Sequence, residues 1–249
     1  MEKPIVFDKV ADLYDSYVRV DFDVPFFLQE TTNHTTVLEL MSGTGRVSIP
    51  LLKNGRKLVC VDYSQGMLDR FSEKISGTEY DVKLICADVT TLSLGTQFDC
   101  IILPFHSLQE IVSKESQLNA IKSIHRHLTN GGIFVCTLQN PRIRLADADG
   151  SIKSLGTFLI DEFRQMKLSC SNKIENGIVT GFQLYEIYNQ QKLLIERRVL
   201  DVCFRPIEYE EFVDMLNESG FTIKHVFGDY DYSEFDIETS PYMLFRLGK

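Results

Sequence analysis

From residue 36 onward, short and almost wholly apolar runs alternate with stretches in which apolar residues recur every three or four positions. The runs 37–41, 58–61, 82–87, 98–103 and 133–138 read as strands. Between them, a helix begins at Val47 and stops at Asn54-Gly55. A second starts behind Ser64, with Met67, Leu68 and Phe71 on one face. A third starts behind Ser113, with Leu118, Ile121, Ile124 and Leu128 inward, and Asn130-Gly131-Gly132 ends it. Strands without polar alternation are buried on both faces, so the pattern predicts a parallel sheet covered by helices on either side. Beyond residue 151 the period changes to that of β-structure, in the segments 155–160, 166–173, 178–188 and 193–204. Glu175-Asn176-Gly177 and Tyr188-Asn189-Gln190-Gln191 have the make-up of hairpin joints. A helical pattern returns at 209–217, stopped by Gly220, and two strands follow at 221–227 and 242–247. The first 35 residues are aromatic and acidic. Val10, Leu13, Tyr14 and Tyr17 fall at helical spacing, the mark of a lid or of a docking helix.

These patterns predict three parts. Residues 1–35 form a helical lid, 36–150 together with 205–249 form the main α/β domain, and 151–204 form an antiparallel β insertion. The insertion either covers an active site, covers a hydrophobic edge or mediates homodimerisation.

The 249 residues are 44% hydrophobic and 24% charged, which suits a globular chain of this size. No apolar run has the roughly 18–20 residues that a membrane span needs. The N-terminus has no apolar signal core, so the expected location is cytoplasmic and no membrane partner is expected. The six cysteines form no CxxC pair and the five histidines complete no zinc spacing, so reduced core thiols and no metal are expected. A net charge of −9, with Arg197-Arg198 as the only basic cluster, argues against a nucleic-acid partner and suits a cationic small ligand.

The richest local signal is 37–46, VLELMSGTGR, where a strand runs into Gly43-Thr44-Gly45 and a helix start. Such a turn at the carboxyl end of a strand is where open α/β sheets bind ligands, and it points to a nucleotide-like cofactor over Gly43 and Gly45. Ser48 stands where a dinucleotide fingerprint has its third glycine, and no Gly-Lys-Ser/Thr ending is present, so the loop need not hold phosphates. Glu39 lies in the first strand, Asp62 ends the second and Asp88 ends the third. A carboxylate in a buried strand is costly without a partner. The three acids suit an ammonium or sulfonium charge, ribose hydroxyls and an adenine amino group, which together describe a cationic nucleoside.

With ELMSGTGR at 39–46, VDYSQGML at 61–68, ICADVTTL at 85–92, FDCIILPFHSL at 98–108 and HLTNGGIFVCTLQNP at 127–141, the chain resembles the class I S-adenosylmethionine-dependent methyltransferases. The resemblance covers about 36–141 and the last two strands. It implies a doubly wound, Rossmann-like, mostly parallel sheet of seven strands whose last strand is antiparallel. It also implies S-adenosylmethionine as cofactor. Met41, Ser42, Gly43, Thr44 and Gly45 would touch its methionine part, approached by Tyr14 and Tyr17, with Glu39 beside the charge. Asp62 would hold the ribose, Tyr63 and Met67 would flank the adenine, and Asp88 and Val89 would meet its edge. Leu103 and Pro104 would line the sulfur.

His106, just past the fourth strand, is the expected catalytic residue, because an imidazole near neutrality can take the acceptor's proton. His125 and His127 fall on what the pattern gives as an outer helix face and are set aside. Leu103-Pro104-Phe105-His106 is not the Asn/Asp-Pro-Pro-aromatic motif of nucleic-acid amino-methylating enzymes. The acidic metal ligands of catechol-type enzymes and the double-glutamate loop of arginine methyltransferases are also missing. The expected activity is methyl transfer to nitrogen or oxygen of a small-molecule acceptor. The competing reading is a non-catalytic module that binds the same cofactor, with the insertion as its interface.

Overall fold

A computed structural model describes residues 4–145 and 148–249. The first three residues of the expected lid lie outside the described residues. The chain order is α1 (Ala11–Tyr17), α2 (Val24–Glu30), β1 (Thr36–Leu40), α3 (Ser48–Lys53), β2 (Lys57–Asp62), α4 (Gln65–Ile75), β3 (Val82–Cys86) and β4 (Phe98–Leu103). It continues with α5 (Lys114–His127), β5 (Leu128–Gln139), α6 (Pro141–Arg144), β6 (Asp149–Leu159), β7 (Arg164–Glu175), β8 (Ile178–Asn189) and β9 (Leu194–Phe204). The last elements are α7 (Tyr209–Ser219), β10 (Thr222–Phe227) and β11 (Tyr242–Gly248).

Seven strands form one sheet in the order β10-β11-β5-β4-β1-β2-β3. β1 to β5 pair in parallel, and β11 lies antiparallel between β5 and β10. The doubly wound fold expected from the apolar runs is therefore present. Alternate side chains of β1 feed opposite faces. Leu38 and Leu40 join Ile121, Ile124, Phe212 and Phe245 in one core layer. Val37 joins Phe27, Leu51 and Phe71 in the other. Glu39 shares the second face with Val37, which sets it in the wall toward α3.

The helix starts follow their caps. Ser64 Oγ accepts the Met67 N–H at 3.2 Å, and Ser113 Oγ accepts the Ser116 N–H at 3.0 Å. Two boundaries differ from expectation. β5 begins at Leu128, so Asn130-Gly131-Gly132 belongs to its irregular first half and not to a helix stop; its register against β4 shifts between Phe98 and Cys100. His127 is buried: its Nε2 accepts the Leu94 N–H at 3.0 Å, and its Nδ1 lies 2.8 Å from the Ser123 carbonyl. The helix face taken as outer is therefore partly an inner one.

The remaining strands form a separate antiparallel sheet, β6-β7-β8-β9. Its inner face, Met166, Leu168, Tyr185, Ile187 and Leu200, packs on Ile5, Val10 and Leu13 of the N-terminal segment. Arg198 bonds the Lys9 carbonyl at 3.1 Å and pairs with Asp12 at 2.5 Å, while the Tyr17 and Tyr185 hydroxyls lie 3.0 Å apart. The second sheet thus backs the N-terminal segment. No helix among the described residues is long and apolar enough to cross a membrane. Cys60, Cys100 and Cys136 are buried, Cys170 and Cys203 half-buried and Cys86 exposed.

Candidate active site

Parallel pairing brings the carboxyl ends of β1, β2, β3 and β4 to one rim, and a two-lobed cleft lies along it. The narrow lobe, about 60 Å³, is lined by Phe7, Tyr14, Glu39, Ser42, Gly43, Thr44, Arg46, Met67, Pro104, Phe105 and Ser107. The wide lobe, about 640 Å³, is bounded by Ile5, Ala87, Asp88, Val89, Thr90, Val112 and Ser113. Met41, Asp62, Tyr63 and Glu110 line both. A volume of that size is ordinary for a pocket that buries a small ligand.

The glycine turn is built by φ angles that side chains resist. Gly43 has φ +57° and Gly45 has φ +82°. A Cβ on Gly45 would come within 2.6 Å of the buried Phe71 ring. Met41 takes φ +55° without being glycine, a conformation that costs roughly 1–2 kcal/mol. Asp62 staples the turn: its Oδ2 accepts the Gly43 N–H at 2.7 Å and its Oδ1 accepts the Ser64 N–H at 2.9 Å. Burial nonetheless pushes its carboxyl up, against the lowering by those backbone donors. Asp88 holds the Thr90 N–H at 2.8 Å and the Thr90 hydroxyl at 2.7 Å, and so caps the short turn after β3.

Glu39 is 2% exposed, and its Oε2 accepts the Ser48 hydroxyl at 2.7 Å. Burial pushes it up to about 8, offset in part by that bond and by Arg46. Arg46 is itself fixed: two of its nitrogens reach the two oxygens of the fully buried Asp23 at 2.5 and 2.6 Å, and its guanidinium lies 4.4 Å over the Phe105 ring. The lid reaches the turn as well. Thr44 Oγ1 donates to Asp15 at 2.6 Å, Lys74 pairs with Asp15 at 2.9 Å, and Asp8 accepts the Gly66 N–H at 2.8 Å.

Most of the residues expected at the cofactor come together in the cleft: Tyr14, Glu39, Met41, Ser42, Gly43, Thr44, Asp62, Tyr63, Met67, Asp88, Val89 and Pro104 line it. Gly45 sits behind it against Phe71, Leu103 is enclosed in the core, and Tyr17 faces Tyr185. His106 is buried, with its ring stacked on Tyr242 at 5.2 Å, and neither lobe includes it. Phe105 and His106 both take positive φ, at 59° and 65°; this double left-handed step turns the imidazole away and returns the chain toward the cleft at Ser107.

Sequence reasoning passed over Glu110, Arg46, Phe7 and Phe105. Glu110 ends the 3-10 turn Ser107–Glu110 and makes no hydrogen bond or ion pair among the described residues. Its surroundings push it up to about 8, through burial first and the Asp62 charge second. Two other polar atoms of the wall, Ser42 Oγ and Tyr63 Oη, are buried with no partner among the described residues. Buried polar groups normally have partners. A ligand rich in hydroxyl, amino and ring nitrogen groups fits this wall, and an adenosyl amino acid is such a ligand.

Residues 37–132 match the methyltransferase-domain family. The chain is 24% identical over 208 residues to the YqeM protein of Bacillus subtilis, itself assigned as a methyltransferase by name only; the match covers 80% of this chain and 78% of that one. Three further relatives at 28–34% identity match over only 42–43% of their own length. Among solved structures, an S-adenosylmethionine-dependent methyltransferase from Clostridium acetobutylicum superposes with a TM-score of 0.80 at 19% identity, covering 97% of this chain and 98% of that one. The sugar N-methyltransferase KedS8 from Streptoalloteichus superposes with a TM-score of 0.75 at 17% identity, covering 98% and 94%. Fold and rim form a Rossmann-like sheet with a cleft at the carboxyl ends of its strands. Residues 37–132 carry the methyltransferase domain, and the whole chain shares its fold with S-adenosylmethionine-dependent methyltransferases.

Proposed function

We propose that the enzyme transfers a methyl group to nitrogen or oxygen of a small-molecule acceptor. The observation that carries this is the two-lobed cleft, in which Glu39, Asp62, Ser42 and Tyr63 present polar groups to one side and Phe7, Tyr14 and Phe105 close the other. When bound, S-adenosylmethionine supplies a methyl group already activated on a sulfonium, so the chain's own work is binding, alignment and desolvation.

Each residue has a separable part in this reading. Asp62 holds the glycine turn in shape and presents its remaining acceptor capacity to ribose hydroxyls. Tyr63 and Met67 supply faces for adenine, with Asp88 and Val89 at its edge. Glu39 meets an ammonium, and Arg46, held by Asp23, keeps Phe105 over the narrow lobe. Tyr14 and Phe7 come from the N-terminal segment and exclude water. That segment is tied to the turn through Thr44 and Asp15, and to the second sheet through Arg198. None of the described residues 149–204 lines either lobe, so the second sheet acts by bracing the cover. A small acceptor suits this covered cleft better than a polymer does, and the likeness to a sugar N-methyltransferase agrees. His106 is assigned to shaping the loop after β4.

The test is incubation with methyl-labelled S-adenosylmethionine and a small-molecule extract. Transfer of label to a low-mass product supports the reading. Tight cofactor binding without any product would overturn it in favour of a non-catalytic module. Asp62→Ala is expected to weaken cofactor binding at least tenfold by calorimetry, and unchanged affinity would remove the ribose assignment.

A further inference from the structure

We propose that Glu110 is the acceptor-facing carboxylate of this enzyme, that it binds a protonated primary or secondary amine, and that it takes the proton the amine must lose before methylation. The proposal rests on the small-molecule reading above and narrows its acceptor class to amines.

Among the described residues, Glu110 is the one acidic side chain, besides the turn-bound Asp62, that borders both lobes of the cleft. The two differ in availability. Both oxygens of Asp62 already accept backbone N–H groups, whereas Glu110 makes no hydrogen bond or ion pair among the described residues. Its backbone is firmly placed. Gln109 accepts the Gln139 N–H at 3.0 Å, and its own carbonyl accepts the Arg205 N–H at 2.7 Å. The Ser107 hydroxyl bonds the Pro104 carbonyl at 2.9 Å, and Leu108 is fully enclosed. A free carboxyl on a pinned turn is preorganised for a ligand.

The neighbouring groups favour a cation. From the end of β2 come Asp62 and Tyr63, from the lid Tyr14 and Tyr17, across the narrow lobe Glu39 and Arg46, and in the wide lobe Asp88. Arg46 is committed to Asp23, which leaves carboxyls and aromatic rings to meet an incoming group. Aromatic faces with a carboxylate are a good environment for an ammonium.

The proton balance is simple. An amine arrives as its ammonium form, which has no lone pair to give. One N–H bond breaks, its electron pair stays on nitrogen, and the proton forms an O–H bond on the Glu110 carboxylate. The neutral amine is then the nucleophile, and Glu110 returns its proton to water between turnovers. The surroundings push this carboxyl up to about 8, so its ionised form, the minor one near neutrality until the adjacent cation favours it, is a stronger base than the carboxylate of an ordinary glutamate.

The test uses protein labelled with ¹³C-glutamate and saturated with S-adenosylhomocysteine. The Glu110 carboxyl signal is assigned by its loss in Glu110→Gln and, independently, in Glu110→Asp. It is titrated in sodium chloride and in the same concentration of methylammonium chloride, the smallest amine probe. The expected result is a midpoint near 8 in sodium chloride and a midpoint lower by about one pH unit or more in methylammonium, because an adjacent cation favours the carboxylate. An identical midpoint in the two salts, or an ordinary glutamate midpoint in both, overturns the proposal. Failure of S-adenosylhomocysteine to bind the wild-type protein by calorimetry overturns the underlying methyltransferase reading instead, so the two failures are told apart.

Discussion

Cofactor binding is expected to expel a proton from Glu39. Its carboxyl, enclosed beside Ser48, titrates at about 8 in the ligand-free protein because burial disfavours the charge. At pH 7 such a group is ~90% protonated. In the proposed complex the ammonium of the cofactor's methionine part lies against it. An opposite charge at that range lowers a carboxyl by about 1–3 pH units. The loss on binding at pH 7 is then ~0.4–0.9 proton per cofactor. Calorimetry reads it directly, because the apparent enthalpy in phosphate and in Tris differs by the number of protons released times the difference in buffer ionisation heat. Glu39→Gln has nothing to release, so the dependence on buffer should shrink by that amount. The same linkage makes wild-type affinity rise roughly 5- to 50-fold from pH 6 to 8, before loss of the cofactor's own α-amino proton near 7.7–8.0 turns it over. Equal buffer dependence in wild type and Glu39→Gln would refute the reasoning, since it would mean that Glu39 is ionised before binding or is never met by the cation.

Three other outcomes follow from the same geometry. Gly45→Ala should destabilise the fold by about 2–5 kcal/mol in urea denaturation, because the new Cβ would stand 2.6 Å from the Phe71 ring on a backbone at φ +82°; an unchanged midpoint contradicts this. Asp23→Ala should cost about 3–5 kcal/mol by leaving the mostly buried Arg46 unpaired, and adding Arg46→Met should recover part of the loss; additive losses in the double variant would show that the pair does not act as a unit. Glu39 and Glu110 are both raised to about 8, so in the ligand-free protein their contribution to stability is intact below about pH 4, where folded and unfolded chains are both protonated. It is lost as pH rises toward 8, by up to ~1.4 kcal/mol per pH unit for each group. Thermal midpoints should therefore fall across pH 5–8 less steeply in Glu39→Gln than in wild type, and parallel curves would count against the buried carboxyls.

The sheet was legible because its strands are apolar on both faces and its helices carry serine caps. Ser64 and Ser113 cap where expected, and three β segments of the second sheet fall within two residues of their expected bounds, while the first begins six residues earlier, at Asp149. The rim of the cleft was legible for a related reason: a glycine turn and acids at strand ends are local signals, and Gly43, Glu39, Asp62 and Asp88 all reach it. The side that carries Glu110 was not. Ser107-Leu108-Gln109-Glu110 reads as an unremarkable polar turn, and only contacts from β5 and from Arg205, about 30 and 95 positions away along the chain, fix where Glu110 stands. His106 was chosen by residue type, and two left-handed residues in succession carry its ring to Tyr242. The Asp23–Arg46 pair joins residues 23 apart, and nothing in either neighbourhood foretells it.

The second sheet carries no lining residue, yet the cleft depends on it. Ile5, Val10 and Leu13 bury their side chains against Met166, Leu168 and Tyr185, and without that sheet they would face water. Each such side chain is worth roughly 1.5–3 kcal/mol when enclosed. The polar ties between cover and turn run to Asp15 from the buried Thr44 hydroxyl and from Lys74. The two contacts have different roles: the apolar one holds the N-terminal segment on the second sheet, and the polar ones at Asp15 hold the same segment against the glycine turn, so Tyr14 is placed over the cleft from both sides.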